Sequence, residues 1–308
     1  MSKRKFLTKS NINGIIVPMV TPFKGEEASE IDLAAVAKLT DYLIDGGIHG
    51  LMPLGTSGEF ALLDRTERRD VISTVVEVAN HRVPVIAGVS SPGTRDAVNL
   101  AKDANNAGAD AIIATGPYYF KTSSEGLLNH FETLERESDV PIMIYNIPGY
   151  AGYNIPAVVV KKLASAHPER VIGVKFTTSD LTEFLAYLRL LENDMSIMIG
   201  ADALILPALV LGAAGAVVGS ANVLPEITSQ IFESYKQGKL EKAKNLQRKL
   251  DPFSQAMNLG TYPAGLKTAM KLIGINCGPV RPPLRALDRK AANAVERSIS
   301  WKVKNRKS

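Results

Sequence analysis

Cysteine is almost absent from this chain. Cys277 stands alone among 308 residues, so no disulfide can form within the chain, and a reducing cytoplasm is the expected compartment. Long apolar runs are missing too. No stretch approaches the roughly 20 residues that a membrane span needs, and the basic N-terminus lacks the apolar segment of a signal peptide. Metal-ligand spacing is missing as well. His49, His81, His130 and His167 form no H-x-H pair and have no second cysteine for company, and they are expected in helices or in loops leading into strands, at the wrong end of the fold for chemistry. Neither a metal nor any other cofactor is therefore predicted. A basic face is missing despite a net charge of +5, because eight Lys and Arg residues lie within 1–10 and 301–308 and leave the body at −3. The tails read as solvated ends, and nucleic acid is not an expected partner.

What is present is a rhythm. Short apolar runs bounded by turn residues alternate with amphipathic segments, the pattern of a parallel sheet. Strands are predicted at Gly14–Met19, Gly50–Leu54, Val85–Gly88, Ala111–Ala114, Pro141–Tyr145, Val171–Lys175, Ser196–Ile199 and Ala216–Val218. Helices are predicted between them and after the last, the final one being Pro225–Gln237. Eight strands and eight helices are the count of a TIM barrel. The rival, a doubly wound sheet, would carry G-x-G-x-x-G after its first strand, where this chain reads Val17-Pro18-Met19-Val20-Thr21-Pro22. From Leu240 onward helical patterns follow one another without strands. The expected organisation is a basic tail (1–12), a (β/α)8 barrel carrying the site (13–238) and a C-terminal helical appendage (239–308), in an α/β fold.

The stretch from Pro141 to Lys175 organises the rest. It reads strand–helix–strand, with Tyr145 closing the first strand and Lys175 the second. Parallel neighbours lie about 4.8 Å apart, so the two side chains are expected side by side at the strand ends where α/β enzymes do their chemistry. A free lysine amine is protonated at neutral pH. Burial disfavours the charged form and leaves a nucleophile able to attack a ketone and form a Schiff base. A tyrosine hydroxyl alongside would relay protons. Other strand ends bring Thr56, Ser57 and Tyr119. In Gly55-Thr56-Ser57-Gly58-Glu59 the amides and hydroxyls suit a carboxylate, although a turn with a helix cap would read the same way.

Taken together, Gly55-Thr56-Ser57-Gly58-Glu59, Pro117-Tyr118-Tyr119, Tyr145-Asn146-Ile147-Pro148 and Gly173-Val174-Lys175 resemble the dihydrodipicolinate synthase/N-acetylneuraminate lyase family, over about residues 13–283. The resemblance implies a TIM barrel with a C-terminal helical region, a class I aldolase that uses or releases pyruvate, and a homodimer or homotetramer. It makes Lys175 the Schiff-base lysine and Tyr145 the proton relay. Thr56, Ser57 and Gly55 become the carboxylate loop, and Tyr119 a side chain lent to a neighbouring subunit. Tyr150, Thr177, Asp202 and Val218 are added as substrate-binding positions. Departures from the pattern bear on the substrate. Synthases tend to carry an arginine where this chain has Tyr150 and a glutamate where it has Phe176, and sialic-acid lyases an acidic pair where it has only Asp202. A 2-keto-3-deoxy sugar acid or similar 2-keto acid is therefore the first expectation. Pyruvate with aspartate semialdehyde, the dihydrodipicolinate synthase reaction, is the alternative, and a non-catalytic sugar-acid sensor comes third.

Overall fold

The computed structural model describes residues 7–304. Among these, eight parallel strands form a ring: β1 (Gly14–Pro18), β2 (Gly50–Met52), β3 (Ile86–Gly88), β4 (Ala111–Thr115), β5 (Ile142–Asn146), β6 (Val171–Phe176), β7 (Ser196–Ile199) and β8 (Gly215–Val217). β1 pairs with both β2 and β8. The seam between β2 and β3 is narrow: one bridge joins Leu51 to Val85, and the Gly88 N–H donates to the Pro53 carbonyl at 3.0 Å. The chain is a TIM barrel.

Helices α1 (Leu33–Asp45), α2 (Arg65–Ala79), α3 (Thr94–Ala107), α4 (Ser124–Glu137), α5 (Ala157–Ala166), α6 (Leu181–Leu191), α7 (Ile205–Leu211) and α8 (Pro225–Lys236) wrap the ring. Their starts follow capping chemistry. Asp64 caps α2 and Glu67 returns the bond in a capping box, while Asp32, Ser123 and Asp180 each accept from an amide in the first turn of the next helix. The appendage is α9 (Leu240–Ala256), α10 (Ala264–Leu272), α11 (Arg289–Ser298) and a last turn at Ser300–Lys304.

Strand alternation divides the apolar residues into two sets. Ile16, Met52, Ile86, Ile113, Met143, Met198 and Val217 fill the lumen, while Ile15, Val17, Leu51, Ile112, Ile144 and Ala216 face the helices. The lower end of the lumen is closed by a segment read from sequence as a solvated tail. Leu7 and Ile12 are buried with the lumen residues, and Ser196 Oγ lies 2.7 Å and 2.9 Å from the carbonyls of Lys9 and Ile12. Apolar burial therefore overrides the basic composition here; residues 1–6 and 305–308 lie outside the described set. The other end is tied down as well, for Lys302 Nζ sits 3.1 Å from both oxygens of Glu226.

The ladder is irregular at one place. Between β5 and β6 the register runs Ile142 to Val171, then Met143 to Gly173, so Ile172 is an extra residue. A bulge of this kind re-aims everything beyond it. Ile172 faces the lumen, yet Val174 and Phe176 face the helices. Strict alternation from Ile172 would have sent Lys175 outward. The bulge turns it inward, directly across from Tyr145.

Candidate active site

At the C-terminal end of the lumen lies a cavity of about 100 Å³. Lys175 reaches it as one of few charged side chains in the molecule with so little exposure, 3%. Its Nζ stands 4.1 Å from the centroid of the Tyr145 ring. Across the cavity, the 3-10 turn Thr56–Gly58 follows β2 and carries Thr56 Oγ1 to 3.3 Å from the Tyr145 hydroxyl. The phenol and the alcohol thus lie within hydrogen-bonding distance in a buried site, with the amine over the face of the phenol ring. Asn146, next to Tyr145, faces the other way. It donates to Tyr187 Oη at 3.0 Å and accepts the Ile155 amide at 3.1 Å, which fixes the end of β5.

The remaining predicted positions divide. Ser57, Tyr150, Thr177 and Asp202 all line the cavity. Thr177 Oγ1 is buried without a hydrogen-bond partner, and Gly200 makes room for it, since a Cβ there would come within 2.0 Å of that oxygen. An unsatisfied buried hydroxyl costs about 1–3 kcal/mol, so this oxygen suits a ligand's polar group. The carboxylate of Asp202 accepts the Ser220 amide at 2.7 Å. Burial pushes its carboxyl above the usual range, while the bonds from Ser220 and the charge of Lys175 pull it back. Gly55 supports the turn from behind, its carbonyl accepting the Gly58 amide at 3.0 Å.

Two positions fall elsewhere. Val218 was expected to bind substrate, but β8 alternation sends its side chain to the helix-facing core, and Val217 lines the cavity instead. Tyr119 is 87% exposed, has φ +76° and packs edge-on against the equally outward Phe120; within one chain it does not line the cavity.

One wall has no motif along the chain to announce it. Met257, Asn258 and Tyr262, from the end of α9 and the connection to α10, also line the cavity. Tyr262 Oη stands 2.6 Å from Ser57 Oγ, and burial pushes its phenol well above the usual range. Glu59, the last residue of the carboxylate-loop motif, does not enter the cavity. From a left-handed backbone (φ +55°) it sends a buried carboxylate to Lys267 Nζ at 2.7 Å and to the Arg281 amide at 2.7 Å. The motif therefore serves two purposes, its hydroxyls facing the cavity and its acid tying the loop to the appendage. The only signal for this wall along the chain is the cluster of prolines and aromatics at 252–263, which reads equally well as helix punctuation.

Three of the four histidines are occupied otherwise. His49 pairs with Glu233 at 2.9 Å, and His167 with Glu135 at 3.2 Å. His130 corrects the expectation of the wrong end: it lies beside Thr94, at the start of α3 on the site's side of the barrel, and is buried there. Among the described residues no group of three or more His, Cys, Asp or Glu side chains is placed to hold a metal, and no helix is long and apolar enough to cross a membrane.

Known proteins share this architecture. The profile of the dihydrodipicolinate synthetase family matches residues 11–302. A 4-hydroxy-tetrahydrodipicolinate synthase of Methanoculleus marisnigri is 37% identical over 276 residues, 89% of this chain and 94% of that one. The crystal structure of dihydrodipicolinate synthase from Aquifex aeolicus superposes with a TM-score of 0.90 at 31% identity, covering 94% of this chain and 98% of that one. YagE, a family member from E. coli K12 solved in complex with pyruvate, gives 0.90 at 28% identity, with coverage of 94% and 98%. This chain belongs to the dihydrodipicolinate synthetase family, a family of lyases.

Proposed function

We propose that this family member is a class I aldolase in which Lys175 forms a Schiff base with pyruvate. The observation that carries the reading is the bulge-directed placement of a buried Lys175 beside Tyr145, with Thr56 at 3.3 Å from the Tyr145 hydroxyl. The Lys175 amine adds to the ketone carbon, and the former carbonyl oxygen takes up protons passed through Tyr145 and Thr56 and leaves as water. The iminium then withdraws electrons, so a proton leaves the adjacent carbon to give an enamine. That carbon attacks the aldehyde, and water releases the product from Lys175. Ser57 and the amides of its turn hold the pyruvate carboxylate. No metal takes part in this scheme, and activity should survive prolonged chelation; loss on EDTA treatment with recovery on adding a divalent ion would contradict it. The trapping test is direct. Pyruvate and borohydride should leave one reduced adduct per chain, on Lys175 by peptide mass mapping, and an adduct elsewhere would sink the mechanism.

For the second substrate, relatives named 4-hydroxy-tetrahydrodipicolinate synthase favour aspartate semialdehyde, ahead of the sugar-acid reading that the sequence suggested first. One observation keeps the sugar acid as a second reading. Among the described residues the cavity wall presents Tyr150, Thr177, Asn258 and Tyr262 but no guanidinium, and a carboxylated aldehyde is gripped best by a bidentate arginine. Comparing kcat/KM for the two reactions separates them. Under the sugar-acid reading, Tyr150→Arg should shift the ratio toward aspartate semialdehyde by about ten- to a hundredfold. A wild-type preference for aspartate semialdehyde of tenfold or more would leave the synthase reading standing alone. The exposed Tyr119–Phe120 pair supports a homo-oligomer in which Tyr119 serves a neighbouring site, to be read from mass in solution.

A further inference from the structure

We infer that Tyr262, a side chain of the C-terminal appendage, is a positioning residue that fixes the Ser57 hydroxyl as a donor toward the substrate carboxylate. The inference rests on the Schiff-base reading, in which Ser57 serves that carboxylate.

Two hydroxyls 2.6 Å apart share one hydrogen bond, and its direction decides what the outer one can offer. A phenol is the stronger donor and an alcohol the better acceptor. Tyr262 therefore donates to Ser57 Oγ, and the single proton of Ser57 is left for the group in front of it. In the reverse arrangement Ser57 would offer only lone pairs, which a carboxylate repels. Once a carboxylate binds, each bond in the series phenol, alcohol, carboxylate polarises the next. Burial keeps the phenol in its protonated, donating form.

Two features of the surroundings fit the phenol to this place. Gly219, just beyond β8, is bare where Tyr262 passes, and a Cβ there would come within 2.6 Å of the phenol oxygen. On one side of the hydrogen bond, Glu59 lies two residues after Ser57. On the other, Lys267 lies five residues after Tyr262. Their buried ion pair at 2.7 Å locks the loop and the appendage into one spacing. Packing alone would be served equally well by phenylalanine; the hydroxyl matters only if its bond to Ser57 does.

The test is a cycle of steady-state measurements on the full-length chain. Tyr262→Phe should raise KM for pyruvate about tenfold, the scale of one hydrogen bond feeding a charged group, and leave kcat within about threefold. Ser57→Ala should raise KM at least as much, and adding Tyr262→Phe to it should change nothing further. Gly219→Ala keeps both hydroxyls but crowds the phenol; it should raise KM in the wild type and have no effect in Tyr262→Phe. A wild-type KM in Tyr262→Phe, or the same fold-increase with and without Ser57, overturns the inference. Borohydride trapping on the unmutated chain separates the two levels. No adduct on Lys175 overturns the Schiff-base reading and this inference with it, whereas an adduct together with independent Tyr262 and Ser57 effects overturns this inference alone.

Discussion

The two walls of the cavity are built by different physics. On the barrel side, Tyr145 and Lys175 are held by the ladder of β5 and β6, where each backbone bond fixes the next and a bulge at Ile172–Gly173 sets which way Lys175 points. The partners lie 30 residues apart in one strand–helix–strand unit. On the appendage side, Tyr262 meets Ser57 across 205 residues of chain, held by that hydrogen bond, the Glu59–Lys267 ion pair and the bonds of Arg281 to Glu59 and Glu67. The first wall is redundant, since no single side chain sets the register. The second depends on buried charge, which is tolerated while paired and costly once one partner is removed. Lys175 and Tyr145, the groups proposed to react, sit on the first wall, while Tyr262 and Ser57 meet on the second.

Substitutions that break the barrel wall should strike chemistry with little loss of stability. Lys175→Ala removes the proposed nucleophile. We expect kcat to fall by about 10⁴-fold or more, as when other covalent enzymes lose theirs, with an unchanged far-UV spectrum and no borohydride-trapped pyruvate. Tyr145→Phe keeps the ring that lies against Lys175 and removes only the hydroxyl proposed as the relay. Its kcat should fall about 10²- to 10⁴-fold, read by steady-state kinetics on a protein with the wild-type melting temperature. A near wild-type kcat would move the relay to another hydroxyl.

On the appendage side the expected signature is the reverse. Lys267→Met leaves the Glu59 carboxylate buried and unpaired, and should cost about 3–5 kcal/mol in urea unfolding. Glu59→Gln with Lys267→Met removes both charges and should recover at least half of that loss. If the double variant is no better than the single one, the pair is not what joins loop to appendage.

The smallest effect supplies the baseline for the others. His130, buried on α4 beside Thr94 and outside the cavity lining, has its pKa lowered to about 4 by burial, against about 6.5 in an unfolded chain. Between those values the unfolded state binds the proton and the folded state does not, so stability rises with pH across this window. The contribution is whole above about pH 6.5 and is lost as pH falls toward about 4, up to about 3 kcal/mol at roughly 1.36 kcal/mol per unit. His130→Gln should flatten the slope of unfolding free energy between about pH 4 and 6.5 while leaving kcat/KM near neutral pH unchanged.

Much of this molecule was legible from its residues in order. Strand–helix alternation pointed to the barrel, because burial on both faces leaves short continuous apolar runs that few other environments produce. Tyr145 and Lys175 were legible as a pair, because adjacent parallel strands that end together carry their last residues together. Thr56 and Ser57 were legible through the motif that holds them, and the cavity-lining Tyr150, Thr177 and Asp202 only through the family resemblance. Val218 was misplaced by one residue because a strand's two faces differ by a single step, and an apolar pair such as Val217-Val218 does not reveal where the alternation stops. The N-terminal segment was misread because the basic and polar residues around them mask two apolar ones, Leu7 and Ile12, whose value appears only when there is an open barrel end to fill.

By itself, then, the order of residues determined what is local or periodic: the elements, their succession, the parallel sheet, and the two strand ends that carry an amine and a phenol. Tertiary structure alone decided the rest. Whether Lys175 faces the lumen depends on one extra residue between paired strands, and a bulge is a property of the pair, invisible in either strand. Whether Glu59 serves the cavity or an ion pair depends on Lys267 arriving from a distant part of the chain, and whether Tyr262 belongs to the site depends on where that ion pair docks the appendage. Contacts of this range are fixed by packing and buried charge in three dimensions, and no spacing along the chain encodes them.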